Sequence, residues 1–190
     1  MDERIRYEYR LNTLGTTDYM RFLTRIGATV TLSPGIQFNA RLSNENRRYF
    51  NPKRPHYADE VIFDRFNLNL KAGNFSLIAG RQDMIYGDGF VILEGTPGDG
   101  SRTIYFNALK GSLKPNQYEQ FDVFVIQQPK QDGFMVINSQ GTNLNTNKEK
   151  PVVNAFGGYL TAKSAESKQK VEMYYLNSRE TDTKVETRLH

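Results

Sequence analysis

Arginines recur at alternate positions along this chain. Arg6, Glu8 and Arg10 stand two residues apart near the start; Arg25 and Arg41 flank the turn Ser33-Pro34-Gly35; Arg65, Lys71 and Arg81 follow. A guanidinium is always charged and offers a planar fork of donors that fits a carboxylate or phosphate. Side chains spaced by two share one face of a strand. Cations so placed would hold or pass anions rather than cleave bonds. A second basic group, Arg47, Arg48, Lys53 and Arg54, offers the same chemistry to acidic sugars or phosphates, in a stretch that also reads as a solvated charged loop.

Residues suited to other chemistry do not converge. The two histidines, His56 and His190, lie near no Ser/Asp arrangement. Asp59 and Glu60 are adjacent, and neighbours on a strand point to opposite faces. Asp83, Asp88 and Asp99 sit in glycine-rich stretches that could offer oxygens to calcium, but they lack the spacing of an EF-hand loop. No enzyme, cofactor or metal site is expected. The same stretch contains Phe90-Val91-Ile92-Leu93, unusually apolar for a loop. It is expected to fold inward as a constriction or plug.

The elements that must position these residues are strands. In residues 21–43, Phe22, Ile26, Ala28, Val30 and Leu32 oppose Arg25, Gly27, Thr29, Thr31 and Ser33. Past Pro34-Gly35, Ile36, Phe38, Ala40 and Leu42 oppose Gln37, Asn39, Arg41 and Ser43. This alternation predicts a hairpin with one apolar and one polar face. Similar patterns over 4–12, 62–71, 75–82, 102–113, 121–127, 152–163 and 170–177 bring the total to roughly nine strands without a helix. Arg81 shares the parity of Phe75, Leu77 and Ala79, which predicts a bulge or a membrane boundary near Gly80. The expected fold class is all-β, an antiparallel up-and-down sheet.

Connections at 33–35, 72–74, 114–120 and 164–169 read as short, and those at 44–60, 83–101 and 128–151 as long. Short turns on one rim and long loops on the other mark bacterial outer-membrane barrels. The composition agrees. With 38% hydrophobic residues and a mean hydropathy of −0.62, no segment approaches a spanning helix, yet a spanning strand needs only about 10 residues with alternate ones apolar. A net charge of +4, from 25 basic and 21 acidic residues evenly spread, does not point to nucleic acid. The absence of cysteine excludes disulfides and thiolate metal sites. In this reading the apolar parity meets outer-membrane lipid. The polar parity, with Arg6, Glu8, Arg10, Arg25, Arg41, Arg65 and Lys71, lines a wet lumen, joined by Arg81 beyond the bulge or boundary at Gly80, and Tyr7, Tyr9, Phe22 and Phe121 stand at the rims. Single-chain bacterial barrels have even strand numbers, so the 190 residues are expected to be the N-terminal part of one larger barrel domain. The alternative is a soluble β-sandwich that binds carbohydrate on aromatic platforms.

Three short motifs carry a family resemblance. Arg4-Ile5-Arg6-Tyr7-Glu8, then Gly80-Arg81-Gln82 followed by Tyr86-Gly87-Asp88, and Arg102-Thr103-Ile104 together resemble alginate-export-type outer-membrane barrels. The resemblance implies a porin-like barrel of about eighteen strands with an arginine-rich lumen. It also implies an anionic or polar solute as cargo, acidic polysaccharide included. Here the polar parity also carries the acids Glu8, Asp64, Asp122 and Glu172.

Overall fold

The computed structural model describes residues 1–12, 15–53, 58–92, 105–129, 135–138, 152–164, 166 and 169–181. Its strands are β1 (Asp2–Asn12), β2 (Gly15–Ser33), β3 (Ile36–Asn51), β4 (Ala58–Ala72), β5 (Phe75–Gln82), β6 (Phe106–Leu113), β7 (Glu119–Gln128), β8 (Met135–Asn138), β9 (Val152–Lys163) and β10 (Lys170–Thr181). All belong to one antiparallel sheet, ordered β1-β2-β3-β4-β5-β6-β7-β9-β10, with β8 attached to β4. Among the described residues the meander is not closed, and β1 and β10 form its edges. The all-β, up-and-down antiparallel class expected from the alternation is the class observed.

The register assembles the apolar parity into continuous rows. Val30, Phe38, Leu68, Ala79, Leu109, Val125 and Phe156 lie side by side across seven strands. The next row is Ile36, Leu70, Leu77, Gly111, Val123, Gly158 and Tyr175. Beyond it come Phe75, Leu113, Phe121, Leu160 and Met173. Most of the large members are exposed, including Val30, Leu109, Val123, Val125, Phe156 and Met173. On the opposite, inner face, Arg21, Ser43, Asp64, Asn67, Ser112 and Asp122 are buried. The inner face also buries Tyr19, Leu23, Ile62, Phe124, Ile126, Ala155 and Tyr159. Burial is thus concentrated on the face that carries the charges, while the regular apolar rows stay uncovered, unlike a water-soluble sheet packed on its apolar parity.

Several strands exceed their expected bounds, β10 by four residues to Thr181 and β2, β3 and β4 into stretches expected to be loops. Residues 13–18 and 44–60 read as loops, but β2 starts at Gly15, β3 continues to Asn51 and β4 begins at Ala58. The physical reason is that both parities turn polar there. After Leu42 the outer parity of β3 continues as Asn44, Asn46 and Arg48, so the alternation fades while the backbone ladder with β2 goes on. At about 3.3 Å per residue, the 19 residues of β2 span about 60 Å, twice a hydrocarbon core. The connection at 128–151 also contains an unforeseen strand. β8 pairs with Glu60, Val61 and Ile62 of β4, along the edge that β5 leaves free because β5 pairs only from Phe66 onward. Part of the β7–β9 connection thus reaches back past β5 and β6.

Candidate functional site

The polar half of the inner face belongs to β1–β4. Its deeper cluster forms around a register shift in which Arg41 pairs with Arg65 but Leu42 pairs with Phe63. Asp64 is the extra residue. A bulge breaks simple alternation, and here both Asp64 and Arg65 engage the inner face. Asp64, 0% exposed, accepts a 2.8 Å hydrogen bond from Arg41 Nε and lies 3.5 Å from Arg25 Nε. Arg41 Nη2 also reaches Asp83 Oδ1 at 3.0 Å, and Arg65 Nη2 donates to Asp83 Oδ2. Arg25, Arg41 and Arg65, three of the arginines picked out by spacing, therefore meet, with two carboxylates between them. Next to them a relay of amides continues along the face. Thr29 donates to Asn39 at 2.7 Å, Asn39 to Asn67 at 3.1 Å, and Asn67 to the Arg81 carbonyl at 2.8 Å.

A second cluster is centred on Tyr19, farther along β2 from the Ser33 turn. Glu8 accepts from the Tyr19 hydroxyl at 2.7 Å and from Arg10 at 3.0 Å, and forms a 2.9 Å ion pair with Arg21. The guanidinium carbons of Arg10, Arg21 and Arg47 lie 5.9, 5.6 and 5.9 Å from the Tyr19 ring centroid, within cation–π range. Tyr49 packs beside that ring at 4.9 Å. Arg6, placed opposite Arg21 by the register, belongs to the same wall.

Other expected site residues fall elsewhere. Arg81 and Gln82 are both buried, so alternation has ended by this point of β5. The ladder there contains no register shift, and the expected bulge is absent. Instead Gly80 takes φ +117°, a conformation open to glycine. Arg81 sits 3.8 Å over the Tyr105 ring and donates to the Phe63 carbonyl and to Asn107 Oδ1. Lys71 is exposed at the short-turn rim, beside Lys114 and away from the arginine clusters. Arg47 and Arg48 are on strand β3 rather than in a loop, Arg48 packing on Phe50, and Lys53 follows in the turn. Asp83 and Asp88, weighed as calcium ligands, instead hold cations of the chain itself, Asp88 pairing with Lys170 at 3.4 Å. No group of three acidic, histidine or cysteine side chains gathers among the described residues. Arg54, His56, Leu93, Asp99, residues 102–104 and His190 lie outside the described residues.

The other half of the inner face, on β6, β7 and β9, is largely apolar around the polar pair Ser112 and Asp122, and is covered by the connection after β5. Met84, Tyr86 and Ile92 pack with Phe124, Ile126, Ala155 and Tyr159 into a buried cluster. Tyr86 stacks on Tyr159 at 4.5 Å and on Phe124 at 5.4 Å, and its hydroxyl donates to Asp122 at 2.8 Å. Burial raises the Tyr86 pKa, and the Asp122 carboxylate raises it further. A tight turn returns the chain, with Tyr86 N–H bonded to the Ile92 carbonyl. β5 ends at the long-loop rim, yet Asp88 reaches Lys170, the first residue of β10 after a short turn. Residues 83–92 thus run back along the inner face; of the run expected to fold inward, Leu93 lies outside the described residues. Within that run Ile92 is buried and Phe90 is exposed. The sequence reading singled out neither Tyr19 and Arg21 nor the partnership of Asp64 and Asp83 with the arginines. Their only signal was parity on strands whose neighbours were still unknown.

Compared with family models, curated proteins and solved structures, the chain matches none.

Proposed function

We propose that this chain forms the wall of a bacterial outer-membrane β-barrel channel that passes an anionic solute along an arginine-lined inner face. The uncovered apolar rows carry the reading: Val, Leu and Phe lie exposed on one side, while the other side buries Arg, Asp and Asn together with its own aromatic and aliphatic cluster. In lipid the exposed rows become the favourable surface, and the charged parity is left to water and to its own ion pairs. In a β-sandwich the apolar parity would be covered by a second sheet, and all described strands lie in one. The resemblance to alginate-export-type barrels supports an acidic polysaccharide as the cargo class. Among the described residues the deeper cluster gathers three guanidiniums around two carboxylates, a concentration of fixed cations of the kind that favours anions in a confined space.

In planar bilayers under a KCl gradient, the reversal potential should report anion preference. Replacing Arg25, Arg41 and Arg65 together by Gln should move it toward the cation side. A reversal potential that does not move would refute the arginine path.

A further inference from the structure

We infer that the fork formed by Arg41 and Arg65 is a carboxylate-binding site whose resident occupant is Asp83, and that a solute carboxylate taking Asp83's place releases residues 83–92 from the inner face. The inference rests on the channel reading for its purpose, but not for its test.

The two carboxylate oxygens of Asp83 are divided between two strands, one on Arg41 of β3 and the other on Arg65 of β4. A bridging carboxylate between two guanidinium forks is how such groups recognise an oxyanion ligand. The occupant here belongs to the chain, and it is the first residue of the segment that covers the inner face. Met84 follows at 2% exposure, and Tyr86 and Ile92 complete the buried cluster. Asp64 engages Arg41 from the other side, through Nε, so Arg41 stays oriented when Asp83 leaves. The anion path and the covering segment therefore share one residue. A carboxylate entering along the arginines competes for the contact that anchors the segment at its start. Beyond Asp83 the segment is held by the Tyr86–Asp122 hydrogen bond, the ring stack, the packing of Met84 and Ile92 and the exposed Asp88–Lys170 pair, among other contacts.

The chain contains no cysteine, so a single thiol reports cleanly. Met84→Cys, folded in detergent micelles, should react slowly with a maleimide. Succinate should accelerate the reaction several-fold at fixed ionic strength, whereas chloride should not. Adding Asp83→Asn should give fast labelling that no longer responds to succinate, and Asp83→Glu should restore slow labelling. Far-UV circular dichroism checks that each variant keeps its strands. Labelling as slow in the Asp83→Asn variant as in its parent, or a rate set by ionic strength whatever the anion, overturns the inference. A protein that passes the labelling test but conducts nothing in bilayers would separate this coupling from the channel reading.

Discussion

At the scale of single residues, Tyr86 links the covering segment to pH. Its phenol is neutral when protonated, and burial with Asp122 beside it holds its pKa well above the ordinary value of 10. Once released from the inner face, the same phenol ionises near that ordinary value. The docked form therefore keeps its proton where the released form sheds it. Docking is at full strength below pH 10 and weakens by about 1.4 kcal/mol for each pH unit above it. Tyrosinate absorbance should show Tyr86 silent while exposed tyrosines titrate. Tyr86→Phe should leave the curve unchanged up to the pH at which the parent's segment lets go. If Tyr86→Phe removes a group titrating at the ordinary value, the docked geometry is wrong. The facing of Arg25, Arg41 and Arg65 was legible in the sequence because period-two alternation needs no partner strand. Their counter-ions were not. Asp64 enters through a register shift and Asp83 through a returning connection, and neither leaves a local signature.

At the scale of the strand, Gly80 is the position where β5 stops alternating. Its φ of +117° disfavours any other residue, and an added Cβ would stand 2.5 Å from the Phe66 carbonyl oxygen. Gly80→Ala should cost about 1–3 kcal/mol. It should also disturb Arg81 and Gln82, both buried just beyond it. Urea titration of the protein refolded into micelles would measure the cost, and an unchanged midpoint would contradict the observed backbone. Strand number was readable because nearly every strand carries an apolar parity. Strand length was not, since the far ends of β2 and β3 lose the apolar alternation and the backbone ladder marks them. The short β8 is set by its pairing with β4, a partner more than seventy residues earlier in the chain.

For the whole molecule, the question is what the exposed apolar rows face. Leu109 stands inside one of the two seven-strand rows, between Ala79 and Val125. Facing lipid near the bilayer centre, Leu109→Arg should destabilise folding into phospholipid vesicles by about 2–4 kcal/mol. Facing water, the same change should be close to neutral. Equilibrium folding into vesicles separates the two outcomes. The inner face was only half legible. Its polar side on β1–β4 follows from the arginines, but the apolar side on β6–β9 looked like a wet lumen until the chain's own segment was seen lying on it. Phe124, Ile126 and Tyr159 are inward by parity, and nothing local says what they touch.

The meander also dictates an order of assembly. From β1 to β7 each strand bonds to its neighbour in sequence, so hairpin can be added to hairpin with small loop-closure entropy. Completing the return of residues 83–92 onto Asp122, Tyr159 and Lys170 requires β7, β9 and β10 to be in place. The expected order is therefore wall first and cover last, with the aromatic side of the wall bare in between.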